Sequence, residues 1–187
     1  MKFKKYLFFI HIWVLNPILN ILPWFWIDVF YDNQSHIGNA MHHPLYLFLW
    51  AISSAWGFYK LSILYWQKRK FSYVSILHRF LCIGMPVSCL IPYQLQNAGW
   101  LNDLHIWLAI GCVGGFIVEW LYYFYKQMLL ISYEKILVLV FVFCTFLLFV
   151  PGHITSAAQT SFSLLVNITL YQLVFSGNHD KISAWIL

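Results

Sequence analysis

Charged residues make up only 9% of this 187-residue chain, while 61% of it is hydrophobic and 21% aromatic. A soluble domain carries about a quarter charged residues, so there is too little polar surface here to face water on all sides. The same composition excludes a disordered segment and a collagen-like or coiled-coil fibre. Cysteine is also scarce. Cys82, Cys89, Cys112 and Cys144 all fall within apolar stretches and form no C-x-x-C pair, which excludes a secreted disulfide framework. There is no low-complexity linker and no internal repeat.

What the chain does have is long apolar runs. A helix needs ~20 apolar residues at 1.5 Å rise to cross ~30 Å of hydrocarbon. Six stretches meet that need, at about 5–27, 43–66, 73–95, 104–125, 135–151 and 157–176. They use most of the chain and leave no room for a separate soluble domain. The predicted fold is therefore all-α: a single domain of six transmembrane helices. Pro17 and Pro23 interrupt the first stretch and Pro151-Gly152 follows the fifth. Proline is tolerated in a membrane helix when neighbours satisfy the freed carbonyl, so these mark kinks or ends. Met1-Lys2-Phe3-Lys4-Lys5 looks like the start of a signal peptide. The run it leads into closes on Leu22-Pro23-Trp24-Phe25-Trp26 without a small-residue cleavage site, which reads as an uncleaved anchor.

The net charge of +5, from 11 Lys+Arg against 6 Asp+Glu, reports orientation. Lys2, Lys4 and Lys5 precede the first stretch. Lys60, Lys68, Arg69 and Lys70 surround the connection between the second and third, Lys126 and Lys135 lie between the fourth and fifth, and Lys181 is in the tail. Residues 28–42, 96–103 and 152–156 contain no Lys or Arg. Alternate connections are thus basic and non-basic, as the positive-inside rule requires of six spans with both termini cytoplasmic. The expected location is the cell membrane, and a nucleic-acid partner is not expected. Trp24, Trp26 and Tyr31 would sit at the outer interface. Tyr65, Trp66, Tyr73, Tyr122, Tyr123 and Tyr125 would sit at the inner one, as an aromatic belt.

Ionisable groups at membrane depth are costly and usually face protein. Arg79 and Glu119 each lie about seven residues, ~10 Å, inside the inner interface on successive antiparallel spans. Equal depth and opposite charge predict an intramembrane ion pair, either a fixed staple or part of a ligand- or proton-coupling site; Arg79 snorkelling to the headgroups is the simpler alternative. On the fourth span Gly111, Gly115 and Glu119 recur every four residues as a close-packing face. On the third, Ser72, Ser75, Arg79, Cys82, Pro86 and Cys89 form one face. Asn16 and Asn20 on the first span, Ser53 and Gly57 on the second, and Ser156, Thr160, Ser163 and Asn167 on the sixth complete a modestly polar interior. It serves as hydrogen-bonded glue between helices or as a ligand pathway through Asn16 and Asn167. His78 and Cys82, one turn apart, could also pair as imidazole and thiolate, although the glycine-histidine signature of membrane-embedded cysteine proteases is absent. The fifth span is almost wholly apolar and should be the most lipid-exposed.

Histidine is concentrated on the outer side. Asp28, Asp32 and His36 are four apart and would share a face if that loop were helical. His42, His43, Asp103, His105 and His153 flank spans and are candidate ligands for zinc, which could activate a water for hydrolysis. No H-E-x-x-H spacing is present, and the plainer accounts are a pH-responsive or headgroup-contacting surface, or histidines with no special role.

Two short outer motifs, Ser35-His36-Ile37-Gly38-Asn39 before the second span and Asn102-Asp103-Leu104-His105 opening the fourth, resemble those of DRAM-type and related bacterial six-helix membrane families over roughly residues 28–125. The resemblance implies a six-helix membrane fold and a connection to lipid. The expected function is binding, sensing or transport of a small or lipidic ligand without a cofactor, and the alternative is a metal-dependent membrane hydrolase. Six-helix substrate-binding subunits of vitamin transporters have this size, but their small-residue docking faces contrast with the bulky Phe8, Phe9 and Trp13 of the first span.

Overall fold

The computed structural model describes residues 2–93, 99–127, 130–149 and 151–176. Lys181, residues 94–95 of the third apolar stretch and residues 96–98 of the connection after it lie outside the described residues. Each of the six apolar stretches falls on a helix, and no strand occurs among the described residues. Helix α1 is composite: α-helical over Lys2–Ile10, π-helical over His11–Leu15, α-helical over Asn16–Ile21 and 3-10 over Leu22–Phe25. Then follow α2 (Gln34–Asn39), α3 (Pro44–Lys68), α4 (Ser75–Ser88), α5 (Trp100–Gln127), α6 (Ser132–Phe149) and α7 (Ser156–Phe175). Three of these, over Lys5–Phe25, Pro44–Lys68 and Trp100–Gln127, are long and apolar enough to cross a membrane.

Local chemistry explains the irregular points. Pro17 has no N–H to donate and its ring would meet the carbonyl four residues back. The helix widens just before it, and the Asn16 N–H reaches the His11 carbonyl, a five-residue step. In the outer loop, the helix begins only at Gln34 because the Asn33 side chain caps it, accepting the His36 N–H at 3.0 Å. Residues 28–33 are turns and extended chain. The expected shared face of Asp28, Asp32 and His36 is thereby corrected: Asp28 and Asp32 precede the helix that carries His36.

Helix α3 lies at the centre, packed against α1, α2, α4 and α7. Helix α5 packs on α4, and α6 packs on α7. Glycines set the closest approaches. A Cβ on Gly84 of α4 would overlap the Cys112 Sγ of α5, and one on Gly115 of α5 would lie 2.5 Å from the Leu81 Cδ2 of α4. Gly111, expected on the same packing face, has nothing within 4 Å of its Cβ direction. An aromatic core of Trp66, Trp120, Tyr65, Tyr123 and Phe116 is sealed from solvent. Large apolar side chains such as Ile76, Trp107, Leu139 and Phe146 coat the outside, far more than a water-soluble monomer exposes.

Helices α5 and α6 are consecutive, yet their backbones barely approach each other. They are clasped at the end where the chain passes between them. There the buried Glu134 accepts hydrogen bonds from Tyr65 Oη (2.7 Å), Tyr123 Oη (2.6 Å) and the Ile131 N–H (2.9 Å). The last of these caps α6. Arg69 donates from Nε to Tyr123 Oη at 3.4 Å, and that bond raises the already high guanidinium pKa. Beyond the clasp, Phe116 and Phe141 still meet, with ring centroids 6.5 Å apart. Towards the other end the two helices part.

Candidate functional site

The parting of α5 and α6 leaves a cavity of about 240 Å3. Its walls are apolar: Ala109, Ile110, Val113 and Ile117 from α5, Cys144 and Leu148 from α6, and Phe58 and Phe162 behind. Gly114 also lines it, and a Cβ there would meet nothing within 4 Å. Ile110 and Leu148 are 44% and 38% exposed on the outer flank, so the cavity borders the lateral surface between the two helices. Above it lies a larger, more polar vestibule of about 990 Å3, lined by Asp32, His36, His42, Tyr93 and His153 among others. Ser35, His105, Ala109, Ile154 and Gln159 line both spaces. The two spaces adjoin at these five residues, one oily and the other imidazole-rich.

Ser35 and His105 occupy the junction. Ser35 Oγ is 2.9 Å from His105 Nε2. His105 Nδ1 lies 2.8 Å from the Ser88 carbonyl and 3.2 Å from that of Ile91, at the end of α4 where helix carbonyls lack intrahelical partners. Both are acceptors only, so Nδ1 carries the proton and Nε2 accepts the Ser35 hydroxyl proton. Tyr93 stacks on the imidazole at 5.1 Å. Ser35 is fixed as firmly. Asn39 Nδ2 donates to its carbonyl at 3.0 Å, and α2 lies so close to α3 that a Cβ on Gly38 would overlap Leu47. The Ser156 N–H donates to Asp32 O (2.6 Å) and the Ala157 N–H to Val29 O (2.7 Å), pinning the outer loop to the start of α7. The first outer loop and the start of α5 therefore meet here, one contributing Ser35 and the other His105.

The remaining expected site residues are placed as follows. Glu119 does not meet Arg79; its Oε2 lies 2.7 Å from Nδ1 of the fully buried His78. Adjacent residues on a helix point ~100° apart, so when His78 faces α5 its neighbour Arg79 turns to the exposed side. His78 Nε2 faces the Tyr59 carbonyl at 3.3 Å, an acceptor, so that nitrogen is protonated. Tyr59 stacks on the ring, and Trp66, Tyr73 and Phe116 surround it.

Asn16 and Asn167 are fully buried within a network that joins α1, α3 and α7. Asn20 Nδ2 donates to Ser163 Oγ (3.1 Å), Trp50 Nε1 donates to Asn20 Oδ1 (2.9 Å), and Ser54 and Ser163 hydroxyls are 2.6 Å apart. Ser163 Oγ donates to Asn16 Oδ1 at 3.3 Å. Asn167 Nδ2 donates to Ser163 O at 2.9 Å and fills the space left by Gly57. Neither described space is lined by Asn16, Asn167, Arg79 or Glu119.

Of the five candidate zinc ligands, His42, His105 and His153 reach the vestibule wall. Asp103 and His43 do not line it, and His43 stacks on Trp26. His153 is turned to the carbonyls of Pro151 (3.0 Å) and Tyr31 (2.9 Å). Among the described residues no group of three or more His, Cys, Asp or Glu side chains comes together to hold a metal ion.

Sequence reasoning passed over Ser35 as a reactive group and Glu134 altogether. Glu134 carried a signal, since a Glu three residues after Ile131 at the start of an apolar run is a capping pattern. No known protein family, curated protein or solved structure matches the chain, so its site is read from its own residues.

Proposed function

We infer that this chain is a six-span protein of the cell membrane, with both termini cytoplasmic, that binds a lipid-like amphiphile between α5 and α6. The reading rests on one observation: an apolar cavity bordered by exposed residues of two parted helices runs into a polar vestibule through five shared lining residues. A hydrocarbon chain fits the lower walls, and a polar headgroup fits the histidine-lined mouth. Ligand sites of this kind are concave, mostly apolar and furnished with a few polar groups. The alternating basic connections supply the orientation, and the resemblance to six-helix families connected with lipid points the same way. The Asn16–Asn20–Ser163–Asn167 network is hydrogen-bonded between helices and reaches the cavity wall through Ser163.

The test is lipid analysis of protein purified in mild detergent, by native mass spectrometry. Near-stoichiometric lipid is expected. Gly114→Leu places its side chain in open space within the cavity and should at least halve that occupancy without changing unfolding. Equal lipid on both proteins, or none on the wild type, would refute the assignment.

A further inference from the structure

We propose that Ser35 and His105 form a nucleophile–base pair that hydrolyses carboxylic esters of long-chain acyl groups, at the junction where the oily cavity opens into the vestibule. The proposal rests on the amphiphile-binding reading above for the position of the substrate, and its chemistry comes from separate observations.

Serine hydroxyls are weak nucleophiles unless a base takes the proton, and the signature of an activated one is a base within ~2.6–3.2 Å that is itself oriented by a third group. The Ser35 Oγ to His105 Nε2 distance of 2.9 Å meets that condition. The third group is the pair of carbonyls, Ser88 and Ile91, that hold the proton on Nδ1. They fix the tautomer in which Nε2 is free to accept, the role a carboxylate plays in Ser-His-Asp triads. A serine that served only to tie α2 to α5 would have no need to face open space on two sides. Ser35 and His105 line both the inner cavity and the vestibule although each residue is more than nine-tenths buried.

The same junction supplies a donor for the carbonyl oxygen. Gln159 lines both spaces, and its Oε1 accepts the Gln34 N–H at 2.8 Å, which leaves the amide nitrogen as the outward group. No hydrogen bond engages that nitrogen among the described residues. With the acyl chain against Val113, Ile117 and Leu148, the ester carbonyl comes to the level of Ser35 and the alcohol portion extends towards His36 and His153. Among the described residues the lower walls carry no charged side chain, which selects an alkyl chain.

The steps balance. Ser35 Oγ bonds to the ester carbon as its proton passes to His105 Nε2, and the carbonyl oxygen gains negative charge against the Gln159 amide. The ester C–O bond then breaks, and His105 returns the proton to the departing alkoxide. Water from the vestibule, losing a proton to His105, attacks the acyl-serine; the Ser35 oxygen leaves with that proton. The net change is ester plus water to fatty acid plus alcohol.

The experiment uses the full chain in nanodiscs with two probes, p-nitrophenyl dodecanoate as substrate and hexadecyl fluorophosphonate as a serine-directed label. Expected are turnover of the dodecanoate ester well above that of the acetate ester, and one adduct mapping to Ser35. Ser35→Ala and His105→Gln should each lower hydrolysis by at least 100-fold. Wild-type unfolding behaviour in Ser35→Ala would show that the fold survives the loss. Absence of a Ser35 adduct, or hydrolysis within threefold of wild type in Ser35→Ala, overturns the catalytic pair even if lipid still co-purifies. Absence of co-purifying lipid from the wild type overturns the binding reading, and labelling of Ser35 would stand apart from it.

Discussion

Three alanine substitutions within five residues of α5 should separate cleanly, and their separation tests whether α4 and α5 are locked by contact at glycine. At Gly115 the new methyl carbon would stand 2.5 Å from Leu81 Cδ2, more than 1 Å inside the ~3.5–4.0 Å at which carbon atoms rest. Leu81 is buried, so its side chain must shift within the helix contact to clear the new methyl. Overpacking of this kind costs about 1–3 kcal/mol, so Gly115→Ala should destabilise by about 2 kcal/mol. At Gly111 and Gly114 nothing lies within 4 Å, so Gly111→Ala and Gly114→Ala should stay within about 0.5 kcal/mol of wild type. A partner test comes from α4. Gly84→Ala overlaps the Cys112 sulfur and should cost as much as Gly115→Ala, while Cys112→Ala removes that sulfur. The double variant Gly84→Ala with Cys112→Ala should recover at least half of the Gly84→Ala loss, a coupling of about 1 kcal/mol between touching residues. Reversible unfolding in mixed micelles or bicelles measures all six variants against the wild type. If Gly111→Ala loses as much as Gly115→Ala, or if Cys112→Ala fails to rescue, the contact argument is refuted.

His78 is buried and Glu119 partly so, and removing one partner of their hydrogen bond costs about 1–3 kcal/mol; His78→Ala and Glu119→Ala should therefore unfold more readily than Arg79→Ala, whose residue is exposed, in the same unfolding assay. At the clasp, Tyr65→Phe and Tyr123→Phe each remove one hydrogen bond to Glu134. Each should cost about 1.5–3 kcal/mol by the same measurement. The double variant should exceed their sum, since only the Ile131 N–H would then remain. Single cysteines placed at Lys70 and Tyr31 in a cysteine-free background should label from opposite sides of intact cells, with position 31 reached from outside; equal labelling would refute the proposed orientation.

The helices were legible because burial in lipid leaves a coarse mark, a run of about twenty apolar residues, which survives proline and a few polar groups. The phase of a helix leaves a finer one. On α4 the polar residues suggested a face through Arg79, Cys82, Pro86 and Cys89, but the buried face runs through His78, Leu81, Met85 and Ser88, displaced by one position. Arginine announced itself by charge, whereas histidine was chosen by the packing of Tyr59, Trp66 and Phe116 around it, which no local pattern records. The same holds for Ser35 and His105, seventy positions apart. Their types and loops were visible, but their meeting depends on where α4 ends and on how α2 docks. Glu134 went unread because its partners Tyr65 and Tyr123 lie on other helices.

The π turn of α1 has a consequence for how this chain can change length. A five-residue step between His11 and Asn16 takes up one residue more than a regular helix would between the same two anchors, His11 on Ser53 and Asn16 at Ser163. Loss of one residue from 12–15 can be absorbed by relaxing to ordinary α-helix, with both anchors still in register. Loss of one residue midway along α3 would turn everything beyond it by ~100° and break its pairing with α4 and α7. Since Pro17 holds the turn open, a chain shortened there should accept alanine at position 17 more readily than this one does.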